Sequence, residues 1–115
     1  MNTQPTANGS YSVAIGDNSH ASGFQAYTMG INSISNGNQS FVFGINTTND
    51  GANNFLAGLG NTTDSSSSYN HLIGNYLVAN NTNTETYVSG RGSTVSSNNS
   101  LGGILFDTSV NNSAE

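Results

Sequence analysis

The sequence predicts an all-β protein, a solenoid in which each turn of the coil contains about fourteen residues. The first observation is that glycine recurs every seven residues over the first half of the chain. These glycines are Gly9, Gly16, Gly23, Gly30, Gly37, Gly44, Gly51 and Gly58. The second is that the seven-residue segments alternate, because every second one carries large apolar residues before its glycine and the others are small and polar. Such a strict period indicates a repeat architecture in which two segments make one turn.

Short strands joined by tight corners explain these segments better than helices do. Glycine is among the poorest helix formers and interrupts every segment. The abundant Asn, Ser and Thr residues favour turns over helix interiors. A coiled coil would need long helices with apolar a and d positions, which glycine precludes here. We therefore expect each glycine to form a corner, often with a positive φ.

Alternation within the segments predicts which way the side chains point, because neighbours along a strand face opposite sides. In the segment 12–16, Ser12, Ala14 and Gly16 share one side. The polar segments also place small residues on that side, which predicts a narrow interior. The large residues would then point outward on one face and form a subunit contact. They are Val13, Ile15, Tyr27, Met29, Phe41, Phe43 and Phe55.

This one-sided apolar stripe predicts self-association. Soluble monomers rarely leave more than a few hundred Å² of contiguous apolar surface exposed. Identical copies in closed symmetry are the simplest way to cover it. The alternative is that these side chains fill the lumen of a wider monomeric β-helix, and the uniformly small residues at the opposing positions argue against that.

The segment 12–23, SVAIGDNSHASG, resembles the head repeat of trimeric autotransporter adhesins, the YadA-like heads. Those repeats alternate S-x-A-x-G with S-x-A-S-G or S-x-A-T-G. The resemblance is close from Pro5 to about Gly60 and looser to about Asn99. It implies a left-handed parallel β-roll of fourteen-residue turns, assembled as a homotrimer. It also implies a non-catalytic, adhesin-like head that binds a host surface protein or glycan.

We expect one domain in three sections: regular repeats over 5–60, expanded turns over 61–99, and a cap or tail over 100–115. The glycine spacing widens to sixteen residues after Gly58. The extra residues are expected in bulges at 61–69 and 80–85, either as tolerated surface insertions or as ligand-facing loops. The tail contains an apolar group that would cap the open end or dock onto a larger assembly. This group is Leu101, Ile104, Leu105 and Phe106.

Composition excludes several functions. The net charge of −5, with one Lys or Arg, lacks the basic patch that nucleic-acid binding needs. No stretch approaches the roughly 20 apolar residues of a membrane helix, so we expect no membrane insertion. The first five residues carry no secretion signal, which predicts an excised head or a stand-alone protein using this fold. We expect an extracellular location, on a cell or virion surface.

Two further function classes stay open. One is a structural virion component, such as a capsid decoration or tail-fibre module, or a filament subunit, which would bind a virion shell or fibre. The other is an ice-binding solenoid, although His20, Ile34 and Thr48 give no regular threonine ladder. In an adhesin-like head the candidate ligand-facing residues are His20, Asn36, Thr48, Asp64 and Thr84.

Catalytic chemistry is not indicated. We expect no two of the carboxylates to stack in adjacent turns as an acid–base pair. They are Asp17, Asp50, Asp64, Glu85, Asp107 and Glu115. Cysteine is absent and no G-x-S-x-G nucleophile motif occurs. We predict no catalysis, no cofactor and no metal. His71 replaces an outward apolar residue, and we expect it to pack or, alternatively, to hold an anion or metal near a trimer axis.

Overall fold

The computed structural model describes residues 4–80, 86–92 and 94–95, whose regular structure consists of β-strands in two parallel sheets. The short-strand sheet contains β1 (Thr6–Ala7), β3 (His20–Ala21), β5 (Ile34–Ser35), β7 (Thr48–Asn49), β9 (Thr62–Thr63), β11 (Val78–Ala79) and β13 (Thr94–Val95). The long-strand sheet contains β2 (Val13–Ile15), β4 (Tyr27–Ile31), β6 (Phe41–Ile45), β8 (Phe55–Leu59), β10 (His71–Asn75) and β12 (Tyr87–Arg91).

Successive strands alternate between the two sheets, so the chain forms a coil of about six turns. Within each sheet a strand pairs in parallel with its equivalents one turn before and after it. Tyr27 lies opposite Phe41, and Phe41 lies opposite Phe55. Equivalent residues are thus fourteen positions apart over these turns. The predicted all-β parallel solenoid is confirmed.

The later turns are longer. Phe55 pairs with His71, and His71 pairs with Tyr87, so each of these turns contains sixteen residues. The parallel register continues through both, which shows that the extra residues do not interrupt the sheets. Most of the predicted bulge at 80–85 and the whole predicted cap at 100–115 lie outside the described residues.

The first two extra residues lie in one corner. Thr63 still pairs with Asn49 across a fourteen-residue turn, so the expansion comes after β9. The corner 64–69 is therefore two residues longer than its equivalent, 50–53. It is shorter than the predicted bulge at 61–69, because Thr62 and Thr63 of that stretch are strand residues.

Small and hydroxylated side chains fill the first turns, where the hydroxyls bond to backbone carbonyls. Ser19 Oγ donates to the carbonyl of Gly30 at 2.8 Å, and Ser33 Oγ donates to that of Gly44 at 2.8 Å. From the third turn onward, larger aliphatic side chains fill the interior. They bury more apolar area than the small residues of the first turns do. The predicted interior of uniformly small residues is thus wrong for the later turns. The aliphatic core comprises Val42, Leu56, Leu72, Leu77, Ala79, Val88 and Val95.

The seven-residue glycine period has two physical causes. Gly30 has a φ of 143°, and a Cβ there would overlap the backbone of Gly44 in the next turn. Gly37 has no positive φ, but a Cβ there would overlap the backbone of Gly51. Glycine thus permits close approach of successive turns at both positions, and an unusual φ is required only at the first.

Other residues supply the left-handed backbone at the corners. Asn32 and Asn46 have φ values of 51° and 53°, and Gln25 and Gln39 have values of 54° and 52°. Asparagine tolerates this conformation better than most residues because its side chain bonds locally. Gly30 itself lies inside β4, one residue before the strand ends. The expectation that each glycine forms a corner is therefore wrong at this position.

Candidate interaction surfaces

The outward side chains of the long-strand sheet form a continuous surface, called the apolar face below. In β4, Thr28 is buried between Tyr27 and Met29, which both point outward. The same alternation places every residue predicted for a subunit contact on this face. Ile15 is 51% exposed and Phe43 is 40% exposed. A single chain therefore leaves this apolar surface accessible to solvent.

In the long strands β4, β6, β8, β10 and β12, the first outward side chain carries a ring. These rings stack in a column, called the aromatic ladder below. Its members are Tyr27, Phe41, Phe55, His71 and Tyr87. Successive ring centroids are 5.4, 5.8, 5.9 and 4.7 Å apart. The sequence predicts outward positions for the first four members, whereas Tyr87 is identified by its pairing with His71.

The last outward position of each of these strands forms a second column, the outer row. Its members are Ile31, Ile45, Leu59, Asn75 and Arg91. This row is not predicted from the sequence, because the glycine pattern suggests that each strand ends at its glycine. The signal that could have revealed it is the recurrence of Ile31, Ile45 and Leu59 at fourteen-residue intervals.

A shallow groove of about 490 Å³ runs beside the aromatic ladder. One wall consists of ladder residues, and the other is an amide row formed by Gln25, Gln39 and Asn53. Gln39 Nε2 donates to Gln25 Oε1 at 3.3 Å, which links two turns. The groove thus has an apolar wall on the apolar face and an uncharged polar wall at the corner.

The outward side of the short-strand sheet is different, and is called the polar face below. Its central column is Thr6, His20, Ile34, Thr48, Thr62, Val78 and Thr94. His20 and Ile34 interrupt the threonines, so there is no continuous threonine ladder. Asn36 and Asp64 lie directly beyond β5 and β9, at the edge of this face.

Four of the five candidate ligand-facing residues therefore lie on one face: His20, Asn36, Thr48 and Asp64. The fifth, Thr84, lies outside the described residues. The candidate docking residues also lie outside them: Leu101, Ile104, Leu105 and Phe106.

Hydrogen bonds between turns order the polar face and its edge. Asn36 Nδ2 donates to Asp50 Oδ1 at 2.7 Å, and Asn18 Nδ2 donates to Asn32 Oδ1 at 2.8 Å. His20 Nε2 lies 3.0 Å from Asn18 Oδ1. Because their partners come from neighbouring turns or corners, these side chains have less conformational freedom to lose on binding.

Asp50 and Asp64 correct the expectation that no carboxylates stack. They are fourteen residues apart and directly follow the paired residues Asn49 and Thr63. The Asp50 carboxylate accepts from Asn36 of the preceding turn, whereas the Asp64 carboxylate accepts from its own corner. Asp64 Oδ1 accepts from Ser66 N at 3.1 Å and Ser66 Oγ at 2.7 Å. These contacts order the expanded corner as an Asx turn does.

The imidazole of His71 is packed within the aromatic ladder between Phe55 and Tyr87. Its Nδ1 atom is buried and has no hydrogen-bond partner among the residues that the structure describes. In the part of the chain that the structure describes, no three His, Asp or Glu side chains cluster closely enough to hold a metal. His71 in one copy is therefore a packed ring with one unused polar atom.

No protein-family model matches the chain, and no curated protein matches it. Over the described residues, no helix has the length and apolarity needed to span a membrane. The functional proposal therefore depends on the fold and on the two opposite faces of the solenoid.

Proposed function

We propose that this chain is a non-catalytic binding module, a left-handed β-roll that works as a homotrimer outside the cell. The observation that carries the proposal is the division of the solenoid into an apolar face and an opposite polar face. The apolar face would join the three copies. The polar face would then point away from the trimer axis and meet an extracellular protein or glycan.

Desolvation of the apolar face supports self-association. Ile31 and Ile45 are each 44% exposed, and Tyr87 is 54% exposed, so large apolar groups remain in contact with water in one chain. Burying apolar area contributes roughly 25 cal/mol per Å². The flat parallel sheet holds these side chains in regular columns, which another copy of the same sheet can match. Rotation about one axis closes such contacts into a ring.

The restricted side-chain conformations on the polar face support a binding role. Its side chains are held on a parallel sheet, and bonds such as Asn36 to Asp50 fix several of them before any partner arrives. A rigid surface loses little entropy on binding. Three copies in one assembly would also add weak contacts through avidity. The net charge of −5 favours neutral or cationic partners over phosphate-rich ones.

Binding to whole cells by matched charge variants tests this role. We expect Thr48→Arg, at the centre of the polar face, to reduce binding of labelled protein at least about tenfold, a typical loss at a contact residue. Ser10→Arg adds the same charge at an exposed corner away from that face, and should bind like the parent. Both variants should keep the mass of the parent in sedimentation.

Equal binding by the two variants would contradict the polar-face assignment. Binding only to assembled viral particles would instead favour a virion component.

A further inference from the structure

We infer that neighbouring copies meet along a seam in which the outer row of one copy packs on the aromatic ladder of the next, turn against turn. The inference depends on the trimer proposed above and specifies which residues of each partner meet. The partner is a second copy of this chain, and each contact joins two different edges of the apolar face.

The two edges of the apolar face are chemically different, which favours ring closure over a twofold dimer. One edge carries the aromatic ladder and the adjoining groove. The other carries the outer row. In a cyclic ring each contact joins unlike surfaces of adjacent subunits. Rotation about an axis parallel to the solenoid keeps equivalent turns at the same height, so each strand meets its own equivalent in the neighbour.

The two edges are complementary at every turn from the second to the fourth. Each of these turns places an aromatic ring at one edge and an aliphatic side chain at the other. The pairs are Tyr27 with Ile31, Phe41 with Ile45, and Phe55 with Leu59. The members of a pair are four residues apart on one strand, about 13 Å at roughly 3.3 Å per residue. They cannot touch within one copy, but a neighbour brings them together.

Both edges change chemistry at the same turn. In the fifth turn the ladder residue becomes His71 and the outer-row residue becomes Asn75. In the sixth turn they are Tyr87 and Arg91. An amide can bond an imidazole, and a guanidinium can stack on a phenol ring. The two columns are therefore matched over five turns, although they do not contact each other within the chain.

The polar pair of the fifth turn is the most specific chemical match along this seam. The His71 ring is partly exposed and lines the groove, although its Nδ1 atom is buried within its own chain. Asn75 is exposed on the same strand at the opposite edge of the face. In the ring, the side chain of the neighbour's Asn75 packs against the accessible part of the His71 imidazole. Arg91, the one Lys or Arg of the chain, stacks on the neighbour's Tyr87.

The groove beside the ladder provides room for the incoming row. It measures about 490 Å³ and is lined by Tyr27, Phe41, Phe55 and His71. The amide row on its far wall would face the Asn32 and Asn46 corners of the neighbour, which directly follow the outer row. The seam would then have an apolar centre and an amide rim, as protein interfaces commonly do.

Disulfide trapping tests the seam directly, because the natural chain contains no cysteine. The variant His71→Cys/Asn75→Cys places the two thiols too far apart to bridge within one copy. Oxidation should convert most of it into a covalent trimer on a non-reducing gel. His71→Cys and Asn75→Cys alone should not cross-link. The control variant His71→Cys/Val78→Cys has one cysteine on each face and should also form no cross-link.

The possible results of this experiment distinguish an error in the seam from an error in the proposed trimer. Dimers formed by a single-cysteine variant would indicate like edges in contact and overturn the seam. A parent that sediments as a trimer but whose double variant stays uncoupled would also overturn it, while leaving the trimer intact. A monomeric parent would overturn the proposed function as well. Phe55→Cys/Leu59→Cys repeats the test at an apolar turn and must give the same answer.

A coupling measurement provides a second test without cysteines. Asn75→Leu places an aliphatic side chain against the polar imidazole of His71 and should weaken the trimer. Adding His71→Phe in the same chain should restore an aromatic–aliphatic pair like that of Phe55 and Leu59. We expect the trimer dissociation constants to show coupling of at least about tenfold between the two changes, as for residues in contact. Additive effects would overturn the seam.

Discussion

Asparagine has three different roles in this solenoid, and its position within the turn decides which it takes. At the corners it accepts a left-handed backbone, as Asn46 does with a φ of 53°. At the edge of the polar face it links turns, as Asn36 does by donating to Asp50. Inside, Asn54 is buried and its Oδ1 accepts from the backbone N–H of Asn70 at 2.8 Å.

Replacing the interior amide should be costly. Asn54 Nδ2 also donates to Asn49 Oδ1 at 2.8 Å and to the carbonyl of Ser67 at 3.0 Å. Asn54→Ala would remove three hydrogen bonds to buried groups, and we expect it to lower the free energy of unfolding by about 2–4 kcal/mol. Chemical denaturation at fixed protein concentration measures this. Asn53→Gly, at the adjacent left-handed corner, is the control and should change it by less than about 1 kcal/mol.

Close approach between turns should make the inward glycines irreplaceable. Gly30→Ala combines a strained φ with overlap against the backbone of Gly44, and we expect a loss of more than about 3 kcal/mol or failure to fold. Asn46→Gly should be tolerated, because Gly60 occupies the equivalent corner of the next turn with a φ of 69°. Equal thermal unfolding of the two variants would contradict the close-approach explanation.

The sequence predicts inward and outward positions well but not these residue roles. Strand alternation assigns Val13 and Phe43 to the outward side without further information. Asn53 and Asn54 are identical in type, yet one forms a corner and the other lies in the interior. Local propensity cannot separate them, because the difference comes from the register against neighbouring turns.

From β4 onward the strands of the long-strand sheet extend one residue beyond the glycine, which adds the outer row to the apolar face. The glycine pattern suggests that each strand ends at its glycine. β6 instead continues to Ile45, because the chain passes Gly44 with a φ of 151° and approaches the backbone of Gly58 so closely that no Cβ would fit. This extra residue widens the apolar face and creates the second edge of the inferred seam.

A charge placed on the apolar face should dissociate the assembly without unfolding the coil. Phe41 stacks against Tyr27, Phe55 and Phe43 and lies half-buried at the centre of the ladder. We expect Phe41→Asp to raise the trimer dissociation constant at least about a hundredfold, because it buries an unpaired charge. Ile34→Asp, half-buried on the polar face, is the matched control. A trimeric Phe41→Asp protein with unchanged melting would contradict the assignment of the faces.

The expanded corner offers a test of which loop residues are structural. Thr63 and Ser67 are buried, so deleting 62–68 would remove β9 and break the coil. Removing only Ser65 and Ser66 restores a four-residue corner like 50–53. We expect this deletion to fold with a loss of about 1 kcal/mol, because loop length alone changes stability little. If it also abolishes binding to cells, the corner belongs to the ligand surface; unfolding would contradict the assigned position of the two extra residues.

In the whole molecule, the repeat determines the fold, whereas the proposed function depends on the proposed assembly. The period, the strand order and the division into two faces follow from glycine spacing and alternation. The match between the ladder and the outer row does not, because the inferred seam would join residues of different copies at equal height. Its recognition required the register of the later, sixteen-residue turns.

Sedimentation equilibrium of the parent chain tests the central claim most directly. The account predicts a single species at micromolar concentration with three times the 11.8 kDa mass of the chain. It also predicts that this mass persists at high salt, because the inferred contacts are mainly apolar. A folded monomer under these conditions would contradict the proposed trimer and the seam that depends on it.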